Sequence, residues 1–308
     1  MTTALADEIK PGVLRTPESR FENLPGFNFE PNYTDIDGYR MHFLDEGDSN
    51  AAPVLMLHGE PSWSFLYRKM IGPVAGAGHR VIAPDLIGFG KSDKPVEIST
   101  HSYAFHVEAM TQFIEDQNLT NITLVCQDWG SLIGLRVAAE NPDRFARIVL
   151  ANGALPTAGE PLGEGFSNWR VQASRMQEAG DMPVGMIVGR GHGAEVIGAY
   201  DAPFPEPKYK AGPLAMPLLV PVSEEDPANA ANEAAWRVFE KWEKPFLTAF
   251  SDGDPVTKGR EKKFKTRVPG ASNQKHVILS GGGHFLQEDI GEKLADVIIE
   301  FIEDNPLP

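Results

Sequence analysis

One cysteine, Cys126, leaves no internal disulfide framework to build. No apolar run approaches the roughly 20 residues that a membrane-spanning helix needs. Basic residues are scarce: 28 Lys and Arg stand against 43 Asp and Glu, a formal net charge of −15. A surface of that sign repels nucleic acid, anionic membranes and strongly anionic substrates, and otherwise serves solubility. A basic start followed by an apolar core is missing from Met1 to Arg20, so no secretory signal is expected. The cytoplasm is therefore the expected compartment. Zinc-type histidine spacing is also missing: His101 and His106 are five apart and read as helix surface, and no metal site is expected.

The 308 residues suffice for one large domain, or one domain carrying an insertion. After a leader expected to be loose, residues 32–45 alternate polar and apolar around Asp37-Gly38, a strong hairpin signal. Short apolar runs at 53–57, 80–83, 122–126, 147–151, 245–250 and 276–279 read as strands. Helical patterns lie between them, one capped by Ser62, others over 103–116, 129–140, 229–241 and 286–303. This alternation predicts a mostly parallel sheet with helices on both faces. It breaks at Pro156, where a Gly-, Pro- and Ala-rich stretch begins. We read residues 1–155 and 227–308 as the core domain and 156–226 as an inserted helical cap. Within the cap, a helix is expected over 168–179, and extended connections over 202–207 and 213–221. The cap would lie over the sheet's C-terminal edge, where open α/β sheets bind ligands.

The stretch Cys126-Gln127-Asp128-Trp129-Gly130 joins a predicted strand to a predicted helix with the spacing of a nucleophile elbow, with Asp in place of Ser. Taken alone, Asp128 reads more simply as a helix N-cap. The rest of the chain reverses that reading. Asp254 and His284 fall just past two other strands, in the order nucleophile, acid, histidine of an α/β-hydrolase triad. Asp252 competes with Asp254; the added residues let Asp254 reach over the strand end, while Asp252 can cap the turn. Asn152 follows the strand before the cap, but an amide cannot stabilise an imidazolium as a carboxylate does.

An Asp nucleophile constrains the reaction. A carboxylate, with a reference pKa of about 4, is already ionised at neutral pH. It can displace a leaving group from saturated carbon and leave an alkyl ester on the enzyme. Hydrolysing that ester needs a water activated by His284, with Asp254 holding the other ring nitrogen. Backbone N–H groups of Glu60, in the turn His58-Gly59-Glu60-Pro61, and of Trp129 are expected to form the oxyanion hole. A halide leaving into an apolar pocket needs donors without competing charge, and indole N–H is one. Trp129 follows the nucleophile directly. Trp169, in the first cap helix, reads from the sequence equally as donor or as apolar wall.

The chain closely resembles haloalkane dehalogenases, specifically the subgroup acting on short haloalkanes with two tryptophans as halide ligands. The matching stretches are 58–70, 81–85, 88–95, 121–130, 165–169 and 200–205. The resemblance implies an α/β-hydrolase fold with a cap, no cofactor, and Trp129 and Trp169 gripping the halide. Phe166 would line the substrate pocket. The partners implied are a small apolar halogenated alkane, water and halide ion, with a monomer expected and oligomers left open. Ser131 departs from the glycine expected after Gly130. Residues 175–199 match poorly, which leaves the substrate range open.

An epoxide hydrolase is the rival: it shares the Asp–His–Asp set, and Tyr200 and Tyr209 could protonate an opening ring. Against it, Glu60 stands where such enzymes carry an aromatic, and Trp169 goes unexplained. A fluoroacetate-type dehalogenase would want Arg beside the nucleophile, where Trp129 stands. A non-catalytic binding relative has little need of a complete triad. Gly88-Phe89-Gly90-Lys91-Ser92 hints at a phosphate loop, but that motif needs glycine where Asp85 stands.

Overall fold

The strand–helix alternation builds one eight-stranded sheet in the computed structural model, which describes residues 8–161 and 163–307. The leader is the first correction. Strands β1 (Glu8–Lys10) and β2 (Val13–Leu14) pair antiparallel, and β2 pairs with β7 (Lys94–Pro95). Thr16 then donates its hydroxyl to the Pro203 carbonyl at 2.6 Å, so the leader is tied to the insertion as well. Polar composition hid this, because the bonds go to backbone groups far along the chain. Residues 1–7 lie outside the described residues.

At Asp37-Gly38 both φ values are positive, the chain reverses, and β3 (Asn32–Ile36) pairs with β4 (Tyr39–Gly47). Next come β5 (Pro53–Leu57), β6 (Arg80–Pro84), β8 (Ile122–Asp128) and β9 (Phe145–Gly153). After the insertion, β10 (Phe246–Ser251) and β11 (Val277–Leu279) complete the sheet. The spatial order is β11-β10-β9-β8-β5-β6-β4-β3, parallel except at β4 and β3. All five side chains of β5 are buried, as a central strand covered on both faces requires.

Helices α1 (Arg68–Gly76), α2 (Tyr103–Asp116) and α3 (Trp129–Glu140) connect the first half. The Ser102 hydroxyl caps α2 by accepting the Phe105 N–H at 3.0 Å. Ser62 caps no helix; its N–H and hydroxyl both donate to the Gly59 carbonyl, at 3.0 and 2.8 Å, closing the turn. A 3-10 turn, Ser64–Tyr67, then leads into α1.

Between β9 and α8 (Asn229–Phe239) the described residues form helical pieces and no strand. These are α4 (Glu164–Ala179), α5 (Val184–Val188), α6 (Ala194–Asp201), a 3-10 turn, Pro207–Tyr209, and α7 (Ala211–Ala215), the last running into a second 3-10 turn, Met216–Leu219. Residues 213–219 are therefore helical where extended chain was expected. Pro213 and Pro217 sit in first turns, where a missing N–H costs no bond. The chain ends with α9 (Glu261–Arg267) and α10 (Leu286–Asp304), the latter broken by non-helical angles at Ile290.

His101 and His106 are not helix surface. Both are buried, with rings stacked 5.4 Å apart and Nδ1 of His101 3.3 Å from Nε2 of His106. Gly212 of α7 and Phe89 cover them, so a polar helix position became interior through a piece more than 100 residues away. Burial pushes both imidazoles' pKa down. No described helix is long and apolar enough to cross a membrane.

Candidate active site

β8 ends by forcing Asp128 to φ 49° and ψ −127°. A non-glycine residue there carries strain of about 1–3 kcal/mol, which surrounding structure must offset. Close backbone approach makes the turn possible. A Cβ on Gly130 would strike the Leu57 carbonyl, and one on Gly59 would strike the Asp128 side chain. Asp128 precedes α3, yet its side chain makes no cap bond. Instead Oδ1 accepts the Glu60 N–H at 2.8 Å and Oδ2 lies 3.3 Å from His284 Nε2.

The turn holding Glu60 is fixed by His58. Its Nε2 accepts the Leu86 N–H at 3.0 Å, and its Nδ1–H donates to the Gly59 carbonyl at 3.0 Å. That tautomer is neutral, in line with the lowered pKa that full burial imposes. Among the described residues the backbone donor to the Asp128 carboxylate is the Glu60 N–H, and the Trp129 N–H makes no bond to it.

His284 Nδ1 lies 3.0 Å from Asp254 Oδ1. Asp254 is buried and also accepts the Val256 N–H at 2.7 Å, the Thr257 N–H at 3.2 Å and the Thr257 hydroxyl. Burial works against the Asp254 charge, but His284 and Thr257 outweigh it and hold the carboxyl below its usual range. For His284, burial opposes the charged ring, while Asp254 and Asp128 together overcome it and push the pKa up. Asp252 caps the loop, accepting the Ser280 hydroxyl at 2.8 Å and the Gly281 N–H at 3.0 Å. Asn152 is a brace: its Nδ2 donates to Ser251 Oγ, Gly283 O and His284 O, and its Oδ1 accepts the Ser251 N–H.

Above these groups lies a cavity of about 170 Å³, lined by Asp128, His284, Glu60, Trp129, Trp169 and Phe166 together with Thr257, Arg260 and otherwise apolar residues. Trp129 comes from α3, and Phe166 and Trp169 from α4. Trp63 and Trp236 donate their indole N–H groups to the carbonyls of Ala199 and Leu155. Those of Trp129 and Trp169 make no such bond among the described residues. The Glu60 carboxyl is buried with Oε1 lacking a partner among the described residues. Burial first, and Asp128 second, push its pKa well up.

Three contributors escaped sequence reasoning. Gln127 is fully buried and donates to the His284 carbonyl at 3.1 Å. Thr257 supports Asp254. Ser131, the departure from glycine, donates to the carbonyls of Asp128 at 2.5 Å and Ala154 at 3.2 Å, and accepts the Ala154 N–H at 2.9 Å. It ties the elbow to the chain leaving β9. Only Gln127 and Ser131 carried a hint, their adjacency to Asp128. No three His, Cys, Asp or Glu side chains converge as a metal site would need among the described residues.

Residues 52–180 match the family model for the alpha/beta hydrolase fold. A haloalkane dehalogenase of Psychrobacter cryohalolentis is 52% identical, covering 96% of this chain and 99% of its own. One from Mycobacterium marinum is 47% identical, covering 94% and 99%. Among solved structures, the tetrameric haloalkane dehalogenase DpaA from Paraglaciecola agarilytica NO2 superposes with a TM-score of 0.84 at 37% identity, covering 92% and 96%. With an aspartate elbow facing a histidine under an apolar cavity, and identity of this order along nearly the whole chain, the protein belongs to the haloalkane dehalogenase family and hydrolyses carbon–halogen bonds.

Proposed function

We propose that Asp128 is the nucleophile, His284 the base, Asp254 its orienting acid, and Trp129 and Trp169 the halide donors, with residues 156–226 acting as the cap. Oδ2 of Asp128 attacks the halogen-bearing carbon; the new C–O bond forms as the carbon–halogen bond breaks and the halide takes the electron pair. The halide is received by the two indole N–H groups, whose neutrality suits an anion in an apolar cavity.

Water then attacks Cγ of the Asp128 ester while His284 Nε2 takes its proton. The negative charge develops on Oδ1, where the Glu60 N–H already donates. Collapse breaks the Cγ–O bond to the alkyl group, His284 returns its proton to the departing oxygen, and the alcohol leaves. The regenerated carboxyl releases a proton, so haloalkane and water become alcohol, halide and proton. Esterification itself prepares the base. It removes the Asp128 charge, one of the two that raise the His284 pKa, and so favours the neutral ring when a base is needed.

The observation that carries this reading is the line Asp254–His284–Asp128, at 3.0 and 3.3 Å, on the floor of a cavity shared with two indoles. The volume, below the roughly 300–1,000 Å³ of drug-sized pockets, favours short haloalkanes. Among the described residues the exposed large apolar side chains are Ile9, Ile98, Val171, Met186 and Ile278, on separate elements, which favours a monomer; light scattering tests it. A lone buried cysteine suits a reducing compartment such as the cytoplasm. The test of the chemistry is halide release from 1,2-dibromoethane and 1-bromobutane. Wild type should release halide, and Asp128→Ala should abolish it; equal release by the variant would sink the assignment.

A further inference from the structure

His284 sits in the loop between β11 and α10, and the backbone before it is held from two sides. The Gly283 carbonyl accepts Asn152 Nδ2 at 2.8 Å and Ser251 Oγ at 2.7 Å, both from core strands. The Gly283 N–H donates to Asp289 Oδ2 at 2.6 Å. Asp289 lies in the first turn of α10, where a carboxylate is favoured by the helix dipole alone. That explanation leaves its other oxygen unexplained. Asp289 Oδ1 lies 2.8 Å from Nε2 of His192, which belongs to the cap, between α5 and α6.

The neighbouring residue repeats the connection more firmly. Glu288, buried, receives both guanidinium nitrogens of Arg68 at 2.6 Å and the hydroxyl of Tyr200, a residue of α6, at 2.6 Å. Burial opposes its charge, but Arg68 and Tyr200 outweigh that and lower its pKa to about 2. Helix α10 is interrupted at Ile290, with φ −140° and ψ 35°. Residues 286–289 therefore form a short piece set apart from the rest of the helix, and two cap side chains grip it.

We propose that the cap sets the working position of His284, with Asp289 and His192 as positioning residues linking cap seating to the base. Tyr200, Glu288 and Arg68 form the buried clasp. His192 and Asp289, each about a quarter exposed, form the adjustable contact nearest the histidine. The link rests on the role proposed for His284 above. It acts on the second half of the reaction only, because alkylation of Asp128 needs no base.

The test separates the two halves. Single-turnover halide release from 1,2-dibromoethane reads alkylation, and mass spectrometry of acid-quenched enzyme reads the ester. In His192→Ala and Asp289→Ala, alkylation should keep the wild-type rate. Ester hydrolysis should slow about tenfold, less than the roughly hundredfold that a misplacement of about 1 Å can cause. The ester should then accumulate. His192→Gln keeps an N–H near the Nε2 position and should restore hydrolysis. Equal slowing of both halves, or no slowing, overturns the link. His284→Gln is the control: it must accumulate ester, and if it does not, the role of His284 itself fails rather than its connection to the cap.

Discussion

The Glu60 N–H donates to one oxygen of Asp128, Oδ1, at 2.8 Å, and leaves Oδ2 to face His284. The two oxygens of a symmetric group are thus made unequal before any substrate arrives. In the proposed mechanism Oδ1 waits where charge develops, and Oδ2 is the one to attack. The distinction depends on how closely the 58–61 turn approaches the elbow.

That approach gives the first prediction. Gly59→Ala puts a methyl into the Asp128 side chain and must displace it. Activity should fall at least about a hundredfold, the scale set by small misplacements of reacting groups. Circular dichroism should stay that of the wild type, because the strain is local. A variant with near-normal turnover would show that the turn has room to move.

Trp169→Phe keeps the apolar wall and removes one donor. Hydrogen bonds to charged groups contribute about 1.5–3 kcal/mol, so bromide should bind roughly ten to a hundredfold more weakly. Titrating bromide against intrinsic fluorescence measures this directly. Unchanged affinity would reduce Trp169 to a wall.

Thr257→Val removes a hydroxyl donor from Asp254, whose carboxyl is held below its usual range partly by that bond. Losing a donor to the charged form raises a carboxyl pKa. The acid limb of ester hydrolysis should therefore move to higher pH, with the rate at neutral pH down several-fold, while single-turnover alkylation stays unchanged.

Two groups oppose each other in the pH dependence of stability. His284 has its pKa raised from 6.5 to about 10, so its contribution is complete below pH 6.5 and is lost as pH rises through 10. Lys94 is buried, with its Nζ donating to the carbonyls of Gly90 and Ser92, and burial lowers its pKa from 10.5 to about 7. Between pH 7 and 10.5 the unfolded chain holds that proton more tightly, so this contribution rises with pH. Wild-type melting temperatures should change little from pH 7 to 10. His284→Gln should unmask a rising trend and Lys94→Met a falling one; parallel curves for all three proteins would contradict the linkage.

The helices over 103–116 and 129–140 were legible to the residue, because apolar periodicity and clear end signals coincide there. The chain order of Asp128, Asp254 and His284 was legible too, since a parallel sheet delivers its strand ends to one edge. Burial of polar side chains was not. His101, His106 and Gln127 look like surface residues until α7, Phe89 and the His284 loop are laid over them. The 213–219 segment misled for a related reason: proline marks a break in most positions but is harmless in a first turn. Ser62 failed as a cap because the turn before it claimed its hydroxyl.

Asp128 and Trp129 come from β8 and α3, and Asp254 and His284 from the loops after β10 and β11, whereas Phe166 and Trp169 come from one helix of the insertion. The instrument and its aperture are thus encoded in separate stretches of chain. Residues 175–199, His192 apart, can vary and reshape what enters with little effect on how a bond is broken. Trp169, the proposed halide donor, and His192, through Asp289, are the exceptions, bound to both tasks at once. A lineage retuning its diet would be free to rewrite most of the insertion, and least free at those two positions.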